Sequence, residues 1–235
     1  MPRMFGTDGV RGLANRDLTA QLALDLGDAA VRVLGDDERS EFESRRRALV
    51  GRDTRVSGDF LAAALSAGMS AGGFDVIDAG IIPTPGVAYL TSVLNVERGA
   101  VISASHNPMP DNGIKFFARG GVKLDDYLED MIEARLGQEW ERPTGERVGR
   151  VSDRPELVEA YVAHLVSSLG AEGSLHGLKV VLDCANGAAF MTGPAAFEAQ
   201  GAEVVAIHAE PTGLNINENA GSTHMDGLQA AVRHH

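Results

Sequence analysis

The chain has 235 residues, 44% of them hydrophobic and 23% charged, a globular composition with ample material for a core. Its 33 acidic residues outweigh 21 Lys and Arg for a net charge of −12, which excludes the basic footprint of a nucleic-acid binder but leaves room for a local positive cleft. Cys184 is the single cysteine, so an internal disulfide is excluded, and no apolar run is long enough for a secretory signal or a membrane span; a soluble cytoplasmic protein is expected.

Taken in chain order, the pattern alternates strands and helices. Thr19 is placed to cap a helix with Leu22, Leu26, Ala29 and Val33 on one face. Residues 36–47 form a charged stretch expected to be a solvated loop. Ala48-Leu49-Val50 reads as a short buried strand running into Gly51-Arg52-Asp53-Thr54-Arg55. Ser57 is expected to cap the next helix, whose inward positions are Phe60, Leu61, Ala64, Leu65, Gly68 and Met69. Phe74-Asp75-Val76-Ile77-Asp78 follows as a strand. Thr84-Pro85 then opens a helix with Val87, Ala88, Leu90 and Leu94 on its apolar side.

Gly99-Ala100-Val101-Ile102-Ser103 is another buried strand, and it delivers the loop Ala104-Ser105-His106-Asn107-Pro108. Asp111-Asn112-Gly113 reads as a tight turn, with Gly113-Ile114-Lys115-Phe116-Phe117 as the strand returning from it. Asp125 is placed to cap a helix burying Leu128, Met131, Ile132 and Leu136. Residues 137–149 turn polar and mark the approach to a domain boundary. Pro155 opens a helix with Leu157, Val158, Tyr161, Leu165 and Leu169 inward. A second α/β unit starts at Leu178, with strands at residues 179–183 and 203–207 around a helix at 194–200. Two strands in fewer than 85 residues bury a sheet poorly, which suggests an incomplete unit. His234-His235 is assigned no function, since it reads equally as native sequence or as tag.

Functional residues of open α/β sheets gather where strands end at their C-terminal edge. Ser105 stands at such an end, as a nucleophile, a phosphate carrier or a turn former. A hydrolase triad is disfavoured, because His106 is adjacent in sequence and no Gly-x-Ser-x-Gly elbow exists. Lys115 shares a strand face with Gly113 and points back toward the Ser105 loop as a charge stabiliser or general acid/base, or stands as a solvated lysine. In Gly6-Thr7-Asp8-Gly9-Val10-Arg11-Gly12, glycines permit backbone approach to an anion and Arg11 offers a fork for phosphate oxygens; the alternative is a flexible turn. Of Arg52 and Arg55, one is expected to pair with Asp53 as structural support, a reading set beside contact with substrate. Cys184 reads as a small buried residue, and Asn186-Gly187-Ala188-Ala189 as an ordinary strand-to-helix turn. The dinucleotide fingerprint is absent, and so is a run of closely spaced aspartates for a metal.

Phe5-Gly6-Thr7-Asp8-Gly9-Val10-Arg11-Gly12, Ile102-Ser103-Ala104-Ser105-His106-Asn107-Pro108 and Asp111-Asn112-Gly113-Ile114-Lys115-Phe116-Phe117 together resemble the α-D-phosphohexomutase superfamily. Leu182-Asp183-Cys184-Ala185-Asn186-Gly187-Ala188 and Asn215-Ile216-Asn217 extend the likeness along essentially the whole chain. The serine loop marks the superfamily, and the N-terminal string points within it to the phosphoglucosamine mutases. The resemblance implies three-layer α/β/α domains with mixed, mostly parallel sheets: residues 1–152 as the first domain, carrying a phosphoserine loop, and residues 153–235 as an incomplete second domain.

It further implies that Ser105 is a phosphoserine that exchanges phosphate with glucosamine phosphates through a glucosamine 1,6-bisphosphate intermediate, which also serves as activator, in the supply of UDP-N-acetylglucosamine for the cell wall. Magnesium would be bound through the phosphate of Ser105, with its other ligands beyond residue 235. His106 and Lys115 would assist catalysis, and Thr7, Arg11, Ser103, Asn107 and Arg52 would contact phosphate or substrate. The partner implied is a small phosphosugar, with no nucleic acid or membrane, in a chain compatible with a homodimer. Family members have four domains, and the Asp-Gly-Asp-x-Asp-Arg metal loop of the family is absent from these residues, so residues 1–235 are expected to be a poor catalyst alone. A phosphomannomutase or phosphoglucomutase, or a non-catalytic phosphosugar-binding module, are the competing readings.

Overall fold

The computed structural model describes residues 3–34, 45–170 and 174–235. Side chains on its central strands alternate between two buried faces. On β2 (Arg47–Arg52) and β4 (Arg98–Ile102), Ala48, Val50, Ala100 and Ile102 enter one core, while Leu49 and Val101 enter the other. A strand covered on both faces reads as an unbroken apolar run, which is why both strands stand out in the sequence.

These strands pair in parallel with each other, and β2 pairs in parallel with β3 (Asp75–Ile81). β5 (Asp111–Phe117) returns antiparallel along β4 and carries β1 (Val10–Leu13), also antiparallel, at one edge. β6 (Val151–Asp153) adds in parallel to β3 at the other edge, giving a six-stranded mixed sheet in the order β1-β5-β4-β2-β3-β6. Helices α1 (Ala20–Leu34), α2 (Ser57–Ala71) and α4 (Asp126–Arg135) cover one face. Helices α3 (Thr84–Val93) and α5 (Leu157–Ser167) cover the other, with Val87, Leu90, Leu157 and Tyr161 buried there. The result is the three-layer α/β/α architecture with a mixed sheet. A smaller unit follows, in which β7 (Lys179–Asp183) and β8 (Glu203–Ile207) pair in parallel beside α6 (Thr192–Ala199) and α7 (Asp226–His234).

Local chemistry sets several element ends as the sequence suggests. The Thr19 hydroxyl accepts from Leu22 N at 3.1 Å, and the Asp125 carboxylate accepts from Leu128 N at 2.9 Å, each satisfying an orphan donor of a first helical turn. Ser57 does not cap α2. It lies inside the first turn, and its hydroxyl accepts from the buried Asn112 Nδ2 at 2.9 Å, a tertiary bond that displaces the local one. Asp111-Asn112-Gly113 is not a turn but the start of β5, because β1 lies opposite and supplies backbone partners for those residues. Leu169 lies past the end of α5 and is exposed. The charged loop at 36–47 lies outside the described residues as far as 44.

Helices α1 and α2 meet backbone to backbone. A Cβ at Gly68 would stand 2.1 Å from Leu24 O, and one at Gly27 would stand 2.4 Å from Leu65 O. The two glycines allow this approach, which brings Leu26 and Leu65 fully out of water. Gly68→Val is expected to force the helices apart and to cost about 1–3 kcal/mol by overpacking. A urea titration checks this, and an unchanged midpoint would show that the crossing tolerates the side chain.

Candidate active site

Strand β4 delivers the chain to a tight reversal at its C-terminal end. Ser105 sits there with φ +54°, a left-handed conformation that costs a residue with a Cβ roughly 1–2 kcal/mol. Several contacts hold it. Ser105 N donates to Ser103 Oγ at 3.1 Å, Asn107 N donates to Ala104 O at 3.1 Å, and Ser103 N donates to Gly113 O at 2.9 Å. The Ser105 side chain is left on the exposed side of the loop.

Two strands bring cations to this loop. Arg11 on β1 lies opposite Gly113 on β5, where a Cβ would stand 2.9 Å from Arg11 Cγ; the missing side chain makes room for the arginine. Lys115, two residues further on the same face, lies opposite Val101 of β4. Gly9, at φ +85°, lets the N-terminal turn press against Ile114 O, where a Cβ would stand 2.3 Å away. Asp8 in that turn reaches Arg11 at 3.3 Å and Lys115 at 3.9 Å. Because Asp8 is half exposed, this shared carboxylate is a weak partner.

A cavity of about 220 Å³ results, lined by Asp8, Arg11, Thr84, Val101, Ser103, Ser105, His106 and Lys115. Thr84 opens α3, so the positive end of that helix faces the same space. A neighbouring cleft of about 340 Å³ shares Thr84, Ser103 and Ser105, and is closed on its far side by Cys184, Gly187, Ile216 and Asn217 of the second unit. Burial, aided by Asp183, pushes the Cys184 thiol up from its ordinary range, so it stands there as a neutral small residue.

Behind the loop lies Arg55, which is 1% exposed. Burial pushes its guanidinium down from the ordinary arginine value, while the ion pair with Asp53 opposes that shift. The Arg55 fork also donates to Ser105 O at 3.3 Å and to Asn107 O at 2.7 Å. Asp53 N donates to Ile102 O, so the loops after β2 and β4 are tied together by backbone as well as charge.

Of the residues singled out in the sequence, Arg11, Ser103, Ser105, His106 and Lys115 share the cavity. Thr7 stands exposed in the turn between Gly6 and Gly9, away from the cavity walls. Asn107 turns its amide to Asp111 at 3.0 Å and contributes its carbonyl to the loop instead. Arg52 is held by Asp59 at 3.0 Å and Asp78 at 3.3 Å, in a separate cavity beside α2 and β6. Asp8, Thr84, Arg55 and Asn217 join the site without having been singled out for it. Asp8 was signalled by its spacing of three from Arg11 in a glycine turn, and Thr84 by its place after a strand. Asn217 carried no sequence signal for this contact. Among the described residues, no three His, Cys, Asp or Glu side chains converge in a way that would hold a metal ion.

A mixed three-layer α/β/α sheet thus carries a serine loop and converging cations at its strand ends. The family model for the phosphoglucomutase/phosphomannomutase alpha/beta/alpha domain I matches residues 2–142, and the chain belongs to that family. Among curated relatives, the phosphoglucosamine mutase of Bifidobacterium adolescentis is 75% identical over 99% of this chain and 52% of its own length. That of Cutibacterium acnes is 59% identical over 99% of this chain and 51% of its own length. The crystal structure of a phosphoglucomutase/phosphomannomutase family protein from Burkholderia thailandensis superposes with a TM-score of 0.78 at 27% identity, covering 99% of this chain and 50% of that one. The chain thus spans about half the length of the relatives it matches.

Removing one member of a buried ion pair leaves the other charge unanswered. Asp53→Asn is expected to cost about 3–5 kcal/mol at neutral pH, because Arg55 stays charged at that pH. Chemical denaturation of the variant checks this, and a loss below 1 kcal/mol, about the worth of a surface pair, would mean that Arg55 is satisfied without Asp53.

Proposed function

We propose that this chain is the N-terminal part of a phosphoglucosamine mutase that interconverts glucosamine 6-phosphate and glucosamine 1-phosphate, with residues 1–152 and 153–235 as its first domain and part of its second. The observation that carries the reading is Ser105, held in a left-handed turn at the mouth of a cavity shared with Arg11, His106 and Lys115. The identity of 75% to a phosphoglucosamine mutase supports the choice of sugar.

Ser105 carries a phosphoryl group. When it is transferred, the P–O bond to Ser105 Oγ breaks as a bond forms to a sugar hydroxyl, giving glucosamine 1,6-bisphosphate. The hydroxyl proton leaves to a neighbouring base, and Ser105 Oγ regains a proton. Rotation of the bisphosphate presents its other phosphate for return to Ser105. Arg11 and Lys115 neutralise phosphoryl oxygens in this scheme, and positioning with charge neutralisation is most of what phosphoryl transfer needs. Of the groups in the cavity, His106 and Lys115 are the ones proposed to move the proton. Ser103 flanks the phosphate and Asn107 shapes the loop through its carbonyl, while Thr7, exposed outside the cavity, and Arg52, paired with Asp59 and Asp78 in a separate cavity, are given no direct phosphate contact in this scheme.

Magnesium, when bound, would screen the charge of the phosphoserine oxygens. The described residues bring no carboxylate cluster to that point, so its other ligands are proposed to come from outside residues 1–235. The partner is a phosphosugar in the cytoplasm, with a homodimer as the assembly; no described helix is long and apolar enough to cross a membrane.

Ser105→Ala in the full-length protein is expected to abolish both turnover and the mass increase of one phosphoryl group after incubation with glucosamine 1,6-bisphosphate. Phosphorylation mapped to another residue would sink the assignment. Residues 1–235 alone are expected to show no mutase turnover in a coupled assay with magnesium present, and detectable turnover would show that the ligands and sugar contacts are already complete.

A further inference from the structure

The loop Gly213–Asn219 of the second unit reaches across to the serine loop of the first. Asn217 Nδ2 donates to Ser105 O at 2.8 Å and to Asn107 O at 3.0 Å. These are the same two carbonyls that Arg55 holds from the opposite side. Each oxygen has two lone pairs, so both are now saturated by two donors that lie 162 residues apart in sequence, Arg55 buried beneath and Asn217 from the other unit.

Asn217 is itself firmly seated. Its φ is +59°, which asparagine tolerates better than most residues, and its N–H donates to Ala185 O at 2.9 Å. Ile216 beside it is buried. Thr54 Oγ1 donating to Asn186 O at 2.5 Å, and Val56 N donating to Gly213 O at 2.9 Å, fix the approach of the two units around it.

We propose that Asn217 is a positioning residue for Ser105: its amide completes the clamp on the serine loop, so that the seryl oxygen meets the phosphoryl group in a fixed orientation only when the second unit is docked. Rotating the Ser105 peptide swings the Oγ with it, and the Asn217 amide resists that rotation from the solvent side. The contact makes docking of the second unit part of the geometry of the first. This rests on Ser105 being the phosphoryl carrier.

The test uses the full-length protein with glucosamine 1,6-bisphosphate and magnesium, following phosphoserine formation in a single turnover by quenched-flow mass spectrometry. Asn217→Asp and Asn217→Gly both tolerate the positive φ and both lose the amide donor. Each is expected to slow phosphorylation about tenfold, the effect of two neutral hydrogen bonds, with KM for the sugar phosphate unchanged. Asn215→Asp is the control. Asn215 lies in the same loop but bonds to Glu210 O and Thr212 N rather than to the serine loop, and its rate is expected to stay at the wild-type value. Wild-type rates in both Asn217 variants, or equal slowing in Asn215→Asp, would overturn the positioning role while leaving Ser105 as carrier. Failure of the wild type to gain phosphate on Ser105 would overturn the carrier reading and this proposal with it.

Discussion

The guanidinium of Arg55 lies out of water beneath two loops, and a buried charge has to be answered on several sides. Asp53 answers its charge, and the carbonyls of Ser105 and Asn107 both accept from Nη2, while Nε is left buried without a hydrogen-bond partner among the described residues. Those carbonyls belong to the reversal after β4, so the demand of one buried cation fixes the path of the serine loop. The left-handed conformation at Ser105 persists because this surrounding network over-determines it. The position of the seryl oxygen, the mouth of the cavity and the seat offered to Asn217 all depend on that arrangement.

Charge is distributed against the average of the chain. A protein with a net charge of −12 gathers Arg11 and Lys115 around one half-exposed Asp8 at its strand ends. The fold achieves this with small residues: Gly113 leaves space for Arg11, and Gly9 lets the N-terminal turn lie flat on β5. The cations need no deep burial, which would raise their desolvation cost.

How much of this could be read in advance depended on the range of each interaction. The core strands, the Thr19 and Asp125 caps, and the face shared by Gly113 and Lys115 are all decided within a few residues, and they stand as expected. Ser57 was misread as a cap because Asn112, 55 residues away, takes its hydroxyl. Asp111-Asn112-Gly113 looked like a turn because its residue types favour one, yet the partner strand β1 overrides that local preference. The short β6 is exposed at all three residues and gave no apolar period, so it was not expected; α7 was not expected either, although Leu228, Ala231 and Val232 recur at helical spacing.

By itself the sequence determined the layered α/β architecture, since continuous apolar strands alternating with amphipathic helices have few other ways to bury themselves. It also determined which polar residues stand at strand ends, and so placed Ser105 among the candidates. Only the tertiary structure decided which of those residues meet: that Arg52 goes to Asp59 and Asp78 while Arg55 goes beneath the serine loop, and that Asn217 arrives from the second unit. The reason is physical. A strand's period sets the face a side chain takes, but contacts between different elements, from 26 residues apart for Arg52 and Asp78 to 110 for Asn107 and Asn217, depend on how whole layers pack, and no local pattern encodes that distance.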